Sequence, residues 1–310
     1  MFKKYFIRLD GLDDKYTSNP VLIRTIKTKP GIKKRFNPRT KAPAEERKSI
    51  RGLTILDKQL FVVSERSSKV EVYDSIQLDS CSRWELKELI RPMDIGSCSR
   101  NKCLYIFDCK GPLHGNEILR VHPNGKLIKN WSTGVELGYS LSVTEESNII
   151  LTDYNKNKLN EYSPDGQLLL EINLSHAGIH WPWHAIKLTN GYFVVSHGSI
   201  DDDLHRVCMV DSGGRIKKSF GGKCGSTIAQ MNRPVYLSVN GNGFVMVADQ
   251  LNGRVLLLDS NLEHKRVVLS KEDKHGLHDP WNIILDESNS RLFVADNESE
   301  NQRILVFDFK

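Results

Sequence analysis

The chain reads RPVYL at 233–237, GFVMVAD at 243–249 and RVLLLD at 254–259, and about 47 residues later it reads DPWNI at 279–283, RLFVAD at 291–296 and RILVFD at 303–308. Weaker copies of the same repeat occur four times before residue 230, so the unit is present six times. A repeat of roughly 40 to 50 residues is typical of supersecondary units that stack because none can bury its apolar face alone.

Each unit contains short β-rich segments separated by turn residues. The segments that end near the recurring Asp position lie at 60–64, 104–108, 149–153, 193–197, 244–249 and 292–296. Each has an apolar segment before it and another after it, and a fourth segment follows in units one to five. Triplets such as Pro123-Asn124-Gly125 and Pro164-Asp165-Gly166 precede the fourth segment and supply positive φ. The pattern predicts an all-β fold, a six-bladed β-propeller with four strands in each blade.

The sixth unit ends at Lys310, directly after its third strand, and therefore needs a fourth strand from elsewhere. The segment VLIRTI at 21–26 alternates and is β-branched, so we predict that this N-terminal strand pairs with the last blade and closes the ring. Tyr5-Phe6-Ile7 is the alternative. We assign residues 1–30 to a segment that supplies the closing strand, 31–47 to a basic linker and 48–310 to the propeller.

Positive charge is concentrated at the start of the chain. Residues 1–51 hold fifteen Lys or Arg against five Asp or Glu, whereas the remainder holds 29 against 33. Prolines at 30, 38 and 43 predict that the linker is extended rather than a strand. It is open whether this linker is solvated without a partner, contacts nucleic acid or an acidic protein, or acts as a nuclear-import signal. The basic residues singled out in it are Lys33, Lys34, Arg35, Arg39 and Lys41.

Several function classes lack their sequence signals. The chain has no apolar leader and no run of eighteen apolar residues, so we expect a cytoplasmic protein, with the nucleus as the alternative and no membrane contact. Its six cysteines are expected to be thiols, and Cys98, Cys103 and Cys109 are interpreted as buried small hydrophobes rather than a metal or redox site. There is no Gly-rich phosphate cradle and no GxSxG, so we expect no cofactor and name no catalytic residue.

Candidate binding residues follow from the geometry of a propeller, in which the loops that enter the innermost strands converge on one face. Aligning the repeats places Arg51, Met93, Tyr139, His184, Val235 and Trp281 there. Arginine and aromatic side chains are typical of binding hot spots. The strand-end Asp residues are interpreted as caps of turn amides. The predicted binding face comprises Arg51, Arg91, Tyr139, Trp183, His184, Arg233 and Trp281.

Histidines are dense between residues 176 and 205, and neutral imidazoles bind zinc. The sequence does not show which of them converge, so a metal site is not predicted. The weak candidates for one are His184, His197, His205 and His278.

Over residues 48–310 the repeats resemble NHL repeats, the units of a six-bladed propeller. The most specific stretch is FGG at 220–222, Gly225, QMNRP at 230–234, VAD at 247–249 and RV at 254–255. The resemblance implies a non-enzymatic interaction scaffold with a protein partner, as for NHL domains that carry substrates to ubiquitin ligases in tripartite-motif proteins. A role in post-transcriptional regulation is also implied.

Two alternatives follow from the same resemblance. NHL propellers of translational repressors bind single-stranded RNA, and here the implied contacts are Lys33, Lys34, Arg35, Arg39, Arg51, Arg91 and Arg233. The peptide-amidating lyases are similar six-bladed rings that hold zinc with histidines from different blades. His184 stands at such a position, but the aligned positions of other blades hold Met93, Tyr139, Val235 and Trp281. The sequence leaves the oligomeric state open.

Overall fold

The computed structural model describes residues 19–27, 34–36, 43–45, 49–79, 81–111, 115–298 and 301–309. Six antiparallel four-stranded sheets form the blades of a β-propeller, which confirms the predicted fold. No helix among these residues is long and apolar enough to cross a membrane.

The strands are numbered in chain order. Blade 1 contains β4 (Ile50–Leu56), β5 (Gln59–Ser64), β6 (Lys69–Asp74) and β7 (Cys81–Glu85), and blade 2 contains β8 (Pro92–Cys98), β9 (Cys103–Asp108), β10 (Glu117–Val121) and β11 (Leu127–Ser132). Blade 3 contains β12 (Leu141–Val143), β13 (Ile149–Asp153), β14 (Lys158–Tyr162) and β15 (Leu168–Asn173), and blade 4 contains β16 (Pro182–Lys187), β17 (Phe193–His197), β18 (Leu204–Val210) and β19 (Ile216–Lys223). Blade 5 contains β20 (Pro234–Val239), β21 (Val245–Asp249), β22 (Arg254–Leu258) and β23 (His264–Ser270), and blade 6 contains β24 (Pro280–Asp286), β25 (Arg291–Glu298), β26 (Asn301–Asp308) and β1 (Val21–Lys27).

Apolar cores lie between neighbouring blades, because both faces of the middle strands carry apolar side chains. Phe61 and Val63 of blade 1 pack with Leu104 and Ile106 of blade 2. Fully burying one such side chain stabilises the fold by about 1.5–3 kcal/mol. The outermost strands are more exposed, as in β11, where no residue is fully buried. Stability therefore depends on each blade having a neighbour on both sides.

The N-terminal strand closes the ring, as predicted. β1 pairs antiparallel with β26, from Val21 opposite Asp308 to Lys27 opposite Arg303. Ile26 is buried in the core between blades 6 and 1, with Phe293 and Ile304. The alternative segment Tyr5-Phe6-Ile7 lies outside the described residues.

The linker differs from its prediction. β2 (Lys34–Phe36) and β3 (Pro43–Glu45) form a two-stranded antiparallel sheet, so the expectation of an extended segment without strands is wrong for these six residues. Pro43 is compatible with a strand because it is the first residue of β3, where a missing N–H is tolerated. Lys33, Arg39 and Lys41 lie outside the described residues, and only the backbone of Lys34 and Arg35 is described.

Candidate partner-binding face

The innermost strand begins with a β-bulge in five blades. Pairing with the second strand skips one residue in each, namely Arg51, Met93, Trp183, Val235 and Trp281. Trp183, and not His184, is therefore the residue of blade 4 that corresponds to Arg51 and Trp281. The repeat alignment was one residue off in blade 4, and a one-residue slip in a strand turns every side chain to the other face.

The bulges and adjoining loops bring together an aromatic and arginine cluster at one end of the channel. We call it the mouth cluster and define it as Arg51, Tyr139, Tyr154, Trp183, Arg233 and Trp281. The ring centroid of Trp183 lies 4.6 Å from Tyr139, 5.0 Å from Tyr154 and 5.8 Å from Trp281. Nε1 of Trp183 donates to the Gly198 carbonyl at 2.7 Å, so its buried N–H is satisfied. Five of the seven predicted face residues thus meet here, namely Arg51, Tyr139, Trp183, Arg233 and Trp281.

Two guanidinium groups lie over these rings. The Arg233 Cζ atom is 4.6 Å from the Trp183 centroid and 5.9 Å from that of Trp281, and the Arg51 Cζ atom is 4.9 Å from Trp281. Each such contact contributes about 0.5–2 kcal/mol, with the larger values for desolvated groups. Trp183 and Trp281 are only 2% and 8% exposed, whereas Arg51 and Arg233, which lie over them, are half-buried.

Glu65 is shared by two arginines of this face. Its carboxylate pairs with Arg51 and lies 3.5 Å from Nε of Arg91. Burial on its own raises the pKa of Glu65, but the hydrogen bond from Arg51 and the charges of Arg51 and Arg91 outweigh it, and the pKa is lowered. Glu65 is therefore ionised at neutral pH and neutralises one of these two positive charges.

The backbone of Arg233 is strained. Its φ is 59°, in the left-handed region, although it is not glycine and precedes Pro234. Its N–H donates to Nδ1 of His205 at 2.8 Å, and Nε2 of His205 donates to the Ser199 carbonyl at 2.7 Å. Such conformations cost about 1–3 kcal/mol and persist only where the surroundings fix them, and they cluster at binding sites.

Below the mouth cluster, the residues that follow the five bulges form a ring around the channel together with Ser140, which precedes β12 of blade 3. The ring consists of Gly52, Asp94, Ser140, His184, Tyr236 and Asn282, all of them buried. Asp94 accepts hydrogen bonds from the Tyr236 hydroxyl at 3.1 Å and from the Leu141 amide at 2.9 Å. His184 stacks on Tyr236 with centroids 3.9 Å apart. His184 thus lies in the channel and is not exposed on the predicted binding face.

Burial sets the ionisation of the ring. It raises the pKa of Asp94 well above its usual range, although the Leu141 and Ile95 amides and Tyr236 oppose the shift. It lowers the pKa of His184 to about 3, so this imidazole is neutral. His184 and Tyr236 also line the inner end of a cavity of about 800 Å³, which opens at the opposite face of the propeller between turns such as Asp57-Lys58 and Ser288-Asn289.

The four histidines named as weak metal candidates have separate partners. Nδ1 of His184 accepts from the Leu237 amide at 3.2 Å, and Nε2 of His197 accepts from Nε of Arg206 at 3.2 Å. His205 positions Arg233, and His278 lies 3.5 Å from Glu298. Among the described residues, no three His, Cys, Asp or Glu side chains lie together as a metal site. These four histidines therefore supply no ligand set for the zinc-lyase alternative.

The strand-end Asp residues cap the loops that enter the innermost strands, as interpreted from the sequence. Asp108 accepts from the Arg91 amide at 2.6 Å, and Asp249 accepts from the Asn232 amide at 2.7 Å and from Nε of Arg254 at 2.6 Å. His197 takes the Asp position in blade 4 and accepts from Arg206 in the same way. Burial and the Arg206 charge lower the pKa of His197 to about 3. These groups hold the loops in place and are not free to bind a ligand.

Exposed aliphatic residues in the loops next to Arg233 were not identified from the sequence. Ile200 is 69% exposed and Ile228 is 61% exposed, and Leu204 and Leu251 are also exposed. Their loops are joined by backbone bonds, from Cys224 N to Asp203 O at 2.8 Å and from Leu251 N to Asn232 O at 3.1 Å. We call these four residues the aliphatic patch. The sequence of a loop does not show which of its side chains are exposed, so the patch could not be predicted.

The three cysteines around the β8–β9 hairpin are buried. Cys98 lies directly opposite Cys103 across the two strands, and both pack with Cys109 in the core between blades 2 and 3. Burial raises the pKa of the Cys103 and Cys109 thiols, which keeps them in the unreactive thiol form.

Comparison with solved structures finds propellers of several kinds. The chain is 14% identical to a chain of a nidogen/laminin complex, with a TM-score of 0.59 over 76% of this chain and 84% of that one. It is 12% identical to virginiamycin B lyase from Staphylococcus aureus, with a TM-score of 0.57 over 84% and 95%. It is 13% identical to the WD40 propeller domain of Doa1, with a TM-score of 0.55 over 85% of this chain and 94% of that one. At these identities the likeness shows the fold alone. No protein-family model and no curated protein sequence matches the chain.

Proposed function

We propose that this chain is a non-enzymatic propeller scaffold of the NHL type that binds a protein partner on the face formed by the mouth cluster and the aliphatic patch. One observation carries the proposal: four exposed aliphatic side chains lie in hydrogen-bonded loops around an arginine that packs on buried tryptophans. Protein hot spots combine an arginine or aromatic anchor with apolar surroundings that exclude water.

A single-stranded RNA partner is the alternative, because Arg51, Arg91 and Arg233 can also contact phosphates. Sequence-independent RNA binding, however, relies on aromatic rings that stack bases. Trp183 and Trp281 are buried and covered by arginines, and Asp201-Asp202-Asp203 lie in the same loop as Ile200. These features favour a protein over RNA.

The test compares capture by three forms of the purified chain from nuclease-treated extract of the source cells. The first is the unaltered chain, and the second carries Ile228→Glu and Leu251→Glu in the aliphatic patch. The third carries Ile128→Glu and Leu168→Glu, which are about as exposed but lie on outer strands. We expect proteins that the first and third forms retain and the second loses at least tenfold. Equal retention by all three forms would refute the proposal.

A direct RNA measurement decides the alternative. Fluorescence anisotropy of a randomised single-stranded RNA pool is recorded at two salt concentrations. Submicromolar binding that weakens with salt and with Arg233→Met would replace the protein proposal with the RNA one.

A further inference from the structure

Arg233 differs from the other arginines that lie close to the channel face. Arg254 donates to Asp249 and to the Ser226, Thr227 and Gln230 carbonyls, and Arg303 likewise bonds Asp296 and two carbonyls. The Arg233 guanidinium forms no ion pair within the described ranges, and its buried Nε has no acceptor there. The contacts described for this guanidinium are with the indole rings of Trp183 and Trp281.

A half-buried guanidinium without an ion pair destabilises the fold unless an anion binds to it. Burial lowers the pKa of Arg233, with Arg51 adding to the shift, while Asp279 and the tyrosines of the mouth cluster oppose it. Asp279 is itself held by Gln250, whose Nε2 donates to it at 2.5 Å. The planar fork of donors on a guanidinium matches the two oxygens of a carboxylate or phosphate.

The charged groups that pair with or act directly on Arg51, Arg91 and Arg233 leave a positive excess. Arg51, Arg91 and Arg233 face Glu65 and Asp279, so three cations stand against two carboxyl groups. Burial raises the pKa of Asp279, while the hydrogen bond from Gln250 and the charges of Arg233 and Arg51 oppose the shift. The strained backbone and the His205 hydrogen bond fix the position of Arg233 without engaging its side chain.

We infer that Arg233 anchors an oxyanion site, which receives a carboxylate or phosphate group carried by the protein partner while the aliphatic patch holds the neighbouring apolar residues. The inference rests on the proposed function for its partner, but the anion site itself is testable without one. The ligand is thus a peptide segment in which an acidic or phosphorylated side chain adjoins aliphatic ones.

The experiment titrates the full chain with sodium phosphate and, separately, with sodium acetate, each against sodium chloride at equal ionic strength. Tryptophan fluorescence reports binding, because Arg233 lies on Trp183 and Trp281. We expect a saturable change that Arg233→Met weakens at least tenfold and Arg233→Lys weakens less. Arg215→Met is the matched control, since the Arg215 side chain is 82% exposed and pairs with Asp211 elsewhere on the surface. Saturation by phosphate alone assigns a phosphorylated side chain, and saturation by acetate assigns a carboxylate.

Glu65→Gln supplies a gain that misfolding cannot mimic. It removes the carboxylate that Arg51 and Arg91 share, so anion affinity is expected to rise about three- to tenfold. No response of the unaltered chain beyond that to chloride, or equal responses with Arg233→Met, would overturn the inference. The capture result with the aliphatic-patch variant would stand independently of that outcome.

Discussion

Gly52 makes room for the carboxyl group at the centre of the channel. A Cβ atom on Gly52 would lie 2.6 Å from Oδ1 of Asp94 and 2.7 Å from the Ile95 backbone nitrogen. One of these atoms is backbone in the next blade, so neither side chain rotation nor a small local shift relieves the contact.

We expect Gly52→Ala to lower the free energy of unfolding by about 1–3 kcal/mol, the usual cost of overpacking. Urea denaturation at neutral pH measures it. Gly222→Ala is the control, because a Cβ there meets no atom within 4 Å, and this variant should match the unaltered chain. Equal losses in both variants would contradict the packing argument.

His184 makes stability depend on pH. Its pKa is about 3 in the fold and about 6.5 when unfolded, so the fold holds the neutral form and the unfolded chain takes up the proton first. The contribution is therefore present above pH 6.5 and is lost as the pH falls from there towards 3.

Between pH 7 and 5 we expect the unaltered chain to lose about 1–2 kcal/mol more unfolding free energy than His184→Gln does. Denaturant titrations at the two pH values give the difference. His176→Gln changes an exposed histidine and should keep the full loss. Parallel curves for all three proteins would show that His184 does not titrate as argued.

The sequence predicted which residues form most of the mouth cluster, but not which contacts they make. Arg51, Tyr139, Trp183, Arg233 and Trp281 were all named from the repeat and do come together. Among the described residues the Arg254 guanidinium bonds several loop carbonyls and that of Arg233 bonds none, and residue spacing does not reveal where those carbonyls lie. Long-range contacts of this kind are fixed by the fold and not by local propensity.

The sequence does carry a signal that sets the register of the misread strand. Prolines at 92, 182, 234 and 280 directly precede the bulge residue in four blades, so Trp183, which follows Pro182, is the counterpart of Trp281. The paired positions show that His184 corresponds to Tyr236 and Asn282. The strands themselves were predictable, because their alternation and turn residues are local.

The closing strand was predictable for another reason: the last repeat lacks a strand, and only one sheet edge needs it. Ile26 is its buried contact, 6% exposed, whereas Ile23 is 38% exposed on the same strand. We expect Ile26→Asp to lower the unfolding free energy by about 2–4 kcal/mol, since a carboxylate would enter the core between blades 6 and 1.

Ile23→Asp is the matched control and should stay within about 0.5 kcal/mol of the unaltered chain. Thermal and urea denaturation of both variants measure the effect. A loss for Ile26→Asp no larger than for Ile23→Asp would mean that β1 contributes little to closure.

Blade 6 contains β1 and β26, which lie near opposite ends of the sequence, and their pairing holds the ring closed. Val21 lies opposite Asp308, so a short Gly/Ser linker from Phe309 to Pro20 can join them as a hairpin. New ends can then be placed either inside a blade, at the exposed turn Glu145-Glu146, or between blades, at the exposed pair Lys87-Glu88.

We expect the free energy of unfolding to be lower by about 2 kcal/mol or more for the permutant opened between blades than for the one opened inside blade 3. Burying one aliphatic side chain contributes about this much, and fraying would expose such a side chain. Inside a blade, strands from both ends still pair and hold the ring. Urea denaturation of the two permutants gives the comparison, and equal midpoints would show that the shared blade adds no stability.

The pairing of β1 with β26 also sets an order of events during synthesis. The ribosome releases Val21–Lys27 well before Asn301–Asp308. At bacterial or eukaryotic elongation rates of roughly 5–20 residues per second, β1 waits on the order of tens of seconds for its partner. Throughout that time five blades can assemble, yet the nascent ring stays open with an apolar strand unpaired. The growing chain is thus most exposed to chaperones and to misassociation just before Asn301–Asp308 emerge.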